Sequence, residues 1–180
     1  YALIQDSRVE RAFEELGYAT VAFASGYRGT ELRSAEVYLT PGLAGSPARP
    51  LTGSLTPFEG MLIQTTAGRL LTDANAALPA GLRLDLEAPY AAHRARIEFA
   101  LDQVPQVGTR PQPELVFAHL IIPHPPFVFG PNGEQVRHTA AYTLGDASHR
   151  GDYAGYLSAY AGQVAYLNMR LDRLLGSLID

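Results

Sequence analysis

Three residues of this 180-residue chain combine a chemically capable side chain with a position that could use it: His124, His119 and Arg28. His124 stands between Pro123 and Pro125, whose rings each fix φ at about −65°. In so stiff a stretch the imidazole is aimed, and it can donate to a phosphoryl or sulfuryl oxygen or ligate a metal. The competing reading is a surface histidine in a proline-rich turn. His119 lies inside an apolar run, where the alternation of a strand sets it on the face opposite Leu120. There a buried histidine held by one hydrogen bond competes with a functional one. Arg28 follows an earlier apolar run and carries the planar fork of donors that suits an anion, although a solvated arginine fits as well.

The remaining histidines, His93, His138 and His149, have no ligand-like spacing and are expected at the surface. Asp146 and Asp152 lack the ladder of oxygen ligands that a calcium loop needs. The sequence contains no HExxH, GxSxG, GxGxxG or P-loop motif.

Composition narrows the classes further. Cysteine is absent, which removes disulfides, thiolate metal sites and a cysteine nucleophile together. All 14 cationic side chains are arginine, so a Schiff-base lysine and a P-loop lysine are excluded. A net charge of −4 and a pI of about 5.7 are unsuited to a phosphate backbone, so no nucleic-acid partner is expected. A hydrophobic fraction of 47% and a mean hydropathy of −0.03 indicate a globular chain rather than a disordered one. No apolar run approaches the roughly 20 residues of a membrane span, so no membrane contact by this segment is expected. Residues 1–5 lack the basic start and apolar core of a secretion signal.

The elements that would position the three residues follow from patterning. Ser7, with Glu10 at capping-box spacing, opens a helix whose apolar positions Val9, Ala12, Phe13 and Leu16 recur every three or four residues until Gly17. Tyr18–Ala24 is a continuous apolar run, the pattern of a strand covered on both faces. A short strand is expected at Glu36–Thr40, a helix over Phe58–Leu71 and a firmer helix over Ala91–Val104, stopped by Pro105. Leu115–Ile122 is the strongest strand, and it runs directly into Pro123-His124-Pro125-Pro126-Phe127. Tyr153–Ile179 is one long helix with its buried stripe at Tyr156, Tyr160, Gln163, Val164, Leu167, Leu171, Leu174, Leu175 and Leu178. Apolar strands interleaved with helices predict an α/β fold with a mostly parallel sheet flanked by helices. One domain over residues 1–180 is expected, with irregular loops at about 41–57 and 72–89. Ligands of such sheets bind beyond the carboxyl ends of the strands, which singles out Ser25–Arg28 and Pro123–Phe127.

Three segments, in this order, resemble the alkaline-phosphatase-like superfamily, specifically its membrane-anchored sulfatase and phosphoglycerol-transferase-like members. Glu14–Phe23 is similar to that family's "LGY.T..F" helix-to-strand step. Phe117–Phe127 is similar to its strand and "PH.PF" turn, the one specific match. Gln163–Asp172 is similar to the helix that follows. The resemblance implies an enzyme acting on phosphate or sulfate esters, with a Ser, Thr or Cys-derived nucleophile activated by divalent metal (Mn, Zn, Mg or Ca). It also implies that His124 contacts the transferred group or the leaving oxygen, with Arg28 as an electrostatic helper.

The family's nucleophile and first acidic ligand precede the "LGY" helix, and its Asp-His-Gly metal motif follows the last helix. On this resemblance the 180 residues are expected to be a partial sulfatase-like domain, the middle of a larger catalytic domain. They are then expected to be inactive alone and to carry no catalytic residue or metal ligand, with an exposed strand edge that favours a homodimer. The parent is expected to be membrane-anchored with an extracytoplasmic domain. In many relatives a Lys or His follows the first strand where this chain has Ser25-Gly26-Tyr27, which weakens a sulfate-specific reading. Two other classes compete. One is a stand-alone, non-catalytic binding module; the other is an unrelated α/β hydrolase with His119 and His124 as metal ligands.

Overall fold

The computed structural model describes residues 7–42, 62, 65–68, 70, 73–79, 83, 85–108, 111–138, 142–144 and 151–179. The expected helix over Phe58–Leu71 and the loop at 41–57 lie almost wholly outside these residues. The fold is α/β. Its elements are helix α1 (Arg8–Glu15), strand β1 (Ala19–Phe23), strand β2 (Val37–Leu39), helix α2 (Ala88–Gln103), strand β3 (Glu114–Phe117) and helix α3 (Tyr153–Ile179). The chain groups into two compact units. The first comprises residues 1–42, 95–122 and 167–180, and the second comprises residues 43–94 and 123–166.

In the first unit the strands form a three-stranded, all-parallel sheet in the order β2-β1-β3. Val21 of β1 stands opposite Val37 on one side and Val116 on the other. All five residues of β1 are buried, as a central strand with helices and loops on both faces requires. Val21 and Phe23 face Ala100 and Phe99 of α2, with Val116 and Leu120 alongside. Ala22, on the opposite face, packs with Leu32, Ala35 and Tyr38. Burying Phe23 alone contributes about 2 kcal/mol.

The entry into β1 is set by local chemistry. Ser7 Oγ accepts hydrogen bonds from the N–H groups of Val9 (3.2 Å) and Glu10 (3.5 Å), capping α1. At the other end Gly17 takes φ +85°, its N–H donates to Glu14 O, and the Tyr18 N–H donates to Phe13 O. The Phe13 and Tyr18 rings meet edge-to-face at 5.0 Å. These are the two bonds and the apolar contact of a Schellman terminus, and they turn the chain from helix to strand.

Several expectations need correction. The apolar stripe of α1 is not its buried face: Val9 is 61% and Leu16 73% exposed, whereas Glu10 is buried. The reason is polar, because the Glu10 carboxylate accepts hydrogen bonds from Ser34 Oγ at 3.1 and 3.3 Å and turns that side of the helix inward. Strand β3 stops at Phe117 rather than Ile122 and is half-buried. The register pairs Ala22 with Phe117, and β1 ends one residue further on, at Phe23, before the chain bends into Ser25 and Gly26, so β1 offers no partner beyond residue 118. Helix α2 begins at Ala88, inside the stretch expected to be irregular, because Asp85 Oδ1 accepts from the Glu87 and Ala88 N–H groups and Pro89 suits a first turn. Helix α3 has the expected ends. Its buried positions are Gln163 and Tyr166, while Tyr160, Leu175 and Leu178 are exposed.

The second unit is built on aromatic rings. Phe127, Val128 and Phe129 are fully buried, and Phe129 stacks on Tyr166 at 4.5 Å. Gly130–Gln135 forms a tight hairpin, with Gly130 N–H donating to Glu134 O at 2.7 Å. Gly133 supplies a φ of +89° there, and a Cβ at that position would stand 2.7 Å from the Tyr166 ring. His93 is not a surface residue, and His138 is half-buried. His93 is 2% exposed, and His138 stacks on Tyr90 at 3.9 Å with its Nε2 3.0 Å from Phe127 O. His149 lies outside the described residues. No helix among the described residues is long and apolar enough to cross a membrane.

Candidate functional site

The carboxyl ends of the first unit's parallel strands carry a connected polar network. After β1 the chain turns through Ser25 and Gly26 into the bend that bears Arg28 and Thr30. Ser25 Oγ accepts from the Tyr27 N–H at 3.0 Å, and the Thr30 N–H donates to Tyr27 O at 2.9 Å, so the bend is closed by its own backbone. Thr30 Oγ1 lies 3.1 Å from Ser25 Oγ and 2.7 Å from Nδ1 of His119, two residues past the end of β3. A hydroxyl from one strand end is thereby joined to an imidazole from the neighbouring one.

The other end of the network is anionic. The buried Glu31 carboxylate accepts from the Gly26 N–H at 2.7 Å, from Ser25 Oγ at 3.5 Å and from the Tyr38 hydroxyl. Burial pushes the Tyr38 phenol up to about 12, assisted by its hydrogen bond to Glu31 and that residue's negative charge. Arg33, whose guanidinium lies 5.9 Å from the centre of the Tyr38 ring, pulls the other way. Arg28 is exposed in the same bend, and it has no ion-pair partner among the described residues.

In the second unit His124 is exposed, and its Nδ1 lies 2.6 Å from Pro125 O. A carbonyl can only accept, so Nδ1 carries the proton and the neutral ring keeps Nε2 bare. The Pro125–Pro126 peptide is cis. The segment is fastened by Gln163 of α3. Its Oε1 accepts from the N–H groups of Val128 (2.8 Å) and Phe129 (3.3 Å), and its Nε2 lies 3.5 Å from His124 O. Phe127 anchors the turn against the rings of Tyr156 (5.1 Å) and Tyr160 (6.2 Å).

A second polar hub in this unit is structural. The Glu87 carboxylate accepts from Arg94 at 2.6 Å, from Gln135 at 3.1 Å and from the His138 N–H at 3.2 Å. Burial pushes this carboxyl up, but those hydrogen bonds and the Arg94 charge outweigh it and hold Glu87 below its ordinary value.

Of the three residues singled out from sequence, the fold joins the bend bearing Arg28 to His119 through Thr30; His124 belongs to the second unit. Thr30, Glu31 and Tyr38 were not foreseen as part of the network, because a threonine and a glutamate in a polar bend carry no spacing signal. The position of Ser25 was legible, since it directly follows the first apolar run. Among the described residues no three His, Asp or Glu side chains come together to hold a metal ion. The chain matches no protein-family model, no curated protein and no solved structure.

Proposed function

We propose that the chain is the oxyanion-binding part of a sulfatase-like hydrolase or transferase acting on phosphate or sulfate esters, a segment of a membrane-anchored, extracytoplasmic parent. The observation that carries this reading is the position of Arg28 and His119 beyond the carboxyl ends of adjacent parallel strands, where open α/β sheets bind ligands. Arg28, which has no ion-pair partner among the described residues, supplies a fork of donors for a phosphoryl or sulfuryl group. His119 supplies an imidazole oriented by Thr30. His124, in the second unit with Nδ1 held on the Pro125 carbonyl, is given the leaving oxygen by the resemblance alone. The helix–Gly–strand step at α1–β1 and the Pro-His turn after β3 are two of the segments that carry the resemblance.

In this reading the nucleophile and divalent metal belong to residues other than those described. The 180 residues alone bind an oxyanion and turn nothing over. Incubation with chromogenic phosphate and sulfate esters, with and without manganese or zinc, is expected to give no product above a blank. Calorimetry is expected to register saturable binding of inorganic phosphate. Metal-dependent turnover by these residues alone would overturn the division between binding and chemistry, and an absence of any oxyanion binding would overturn the reading itself.

A further inference from the structure

The network around His119 has a direction. Its far end consists of groups that can only accept: the Glu31 carboxylate, already receiving the Gly26 N–H, and the Tyr27 carbonyl. Ser25 Oγ therefore spends its single proton on Glu31 Oε1 (3.5 Å) or on Tyr27 O (3.2 Å). Thr30 Oγ1 in turn has Ser25 Oγ at 3.1 Å and Tyr27 O at 3.4 Å to receive its own proton. A Thr30 hydroxyl that donates along this line leaves its oxygen, 2.7 Å from His119 Nδ1, as an acceptor for the Nδ1 proton. His119 is partly exposed, and its Nε2 has no partner among the described residues.

We propose that Thr30, aligned by Ser25 and Glu31, is the positioning residue that fixes neutral His119 with its proton on Nδ1 and a bare lone pair on Nε2. His119 is then a hydrogen-bond and proton acceptor toward a ligand oxygen that carries hydrogen. The consequence is a preference between free inorganic anions. Inorganic phosphate keeps an O–H in mildly alkaline buffer and can donate to Nε2, whereas sulfate has only acceptor oxygens and meets a lone pair. Discrimination of this kind comes from the mismatch with the wrong anion as much as from contacts to the right one. The preference for phosphate rests on the oxyanion-binding reading above; the tautomer does not.

The test is long-range proton–nitrogen correlation NMR on the ligand-free, nitrogen-15-labelled chain in mildly alkaline buffer, where imidazole is neutral. The His119 Nε2 resonance is expected in the unprotonated, pyridine-type range. Thr30→Val, which keeps the shape and removes the hydroxyl, should shift it to the protonated, pyrrole-type range, while Thr30→Ser should retain the wild-type pattern. A protonated Nε2 in the wild type overturns the proposal, and so does a Thr30→Val spectrum unchanged from wild type. If the valine variant does not fold, the wild-type and Thr30→Ser spectra still decide. Calorimetric titration with phosphate and with sulfate adds a second readout: roughly tenfold tighter phosphate binding, about 1.4 kcal/mol, is expected, and the preference should disappear in Thr30→Val. If neither anion binds while the tautomer is as expected, the oxyanion reading fails and the role of Thr30 stands.

Discussion

Gln163 holds the backbone of Val128 from 35 residues away: its Oε1, fully buried, accepts the Val128 N–H at 2.8 Å and also takes the Phe129 N–H at 3.3 Å. One side chain thus satisfies two amide groups that have no ladder partner there, and it fixes the chain just past the Pro-His-Pro-Pro turn. Gln163→Leu keeps the volume and strands both donors. Each unsatisfied buried group costs about 1–3 kcal/mol, so a loss of about 3 kcal/mol is expected. Urea unfolding should show a lower midpoint at an unchanged slope. A midpoint within error of wild type would mean that the amides find other partners.

The Glu87–Arg94 pair makes an acid-limb prediction. Glu87 is held below its ordinary pKa of 4.5, so its contribution to stability is present above that value and is lost as the pH falls through the lower, folded value. Glu87→Gln should destabilise the protein by about 2 kcal/mol at neutral pH. That is less than a fully buried pair costs to break, because water reaches a glutamate that is one-third exposed. The gap to wild type should narrow as the pH drops below 4.5. Urea midpoints measured across that range check it, and a gap independent of pH would contradict it.

How much of this was legible in the sequence depended on the kind of signal. The continuous apolar run ending at Ala24 marked a buried strand, and the helical period of the last segment marked its limits but not its buried face, which is confined to Gln163 and Tyr166. Helix α1 defeated the same logic: one carboxylate, Glu10, with a partner 24 residues away at Ser34, decided which face turned inward. The length of β3 was also set elsewhere, by where its neighbour β1 bends away. The network at the strand ends joins Thr30 to His119 across 89 positions, and no local pattern encodes a contact of that range. Arg28 and His124, by contrast, stood out because proline and strand-end context are local.

Tyr38 gives a test of the anionic end of the network. Its phenol is pushed from 10.0 up to about 12, so its neutral form is favoured in the folded state. The stabilisation is fully present below pH 10.0 and is lost as the pH rises through about 12. Spectrophotometric titration should find tyrosine ionisation later than that of an ordinary phenol, and Tyr38→Phe should remove one late step. No late step in the wild type, or late steps that Tyr38→Phe leaves unchanged, would contradict the burial of Tyr38 against Glu31.

The central claim is that this chain binds the oxyanion of an ester substrate. Its most direct measurement is calorimetric titration of the 180-residue protein with inorganic phosphate, repeated for Arg28→Ala and His119→Ala. Charge-assisted hydrogen bonds contribute about 1.5–3 kcal/mol, so Arg28→Ala should weaken binding by about tenfold or more, with a measurable loss for His119→Ala. Saturable binding that falls in this way is the predicted result. No binding by the wild type, or binding that both substitutions leave unchanged, would contradict the account.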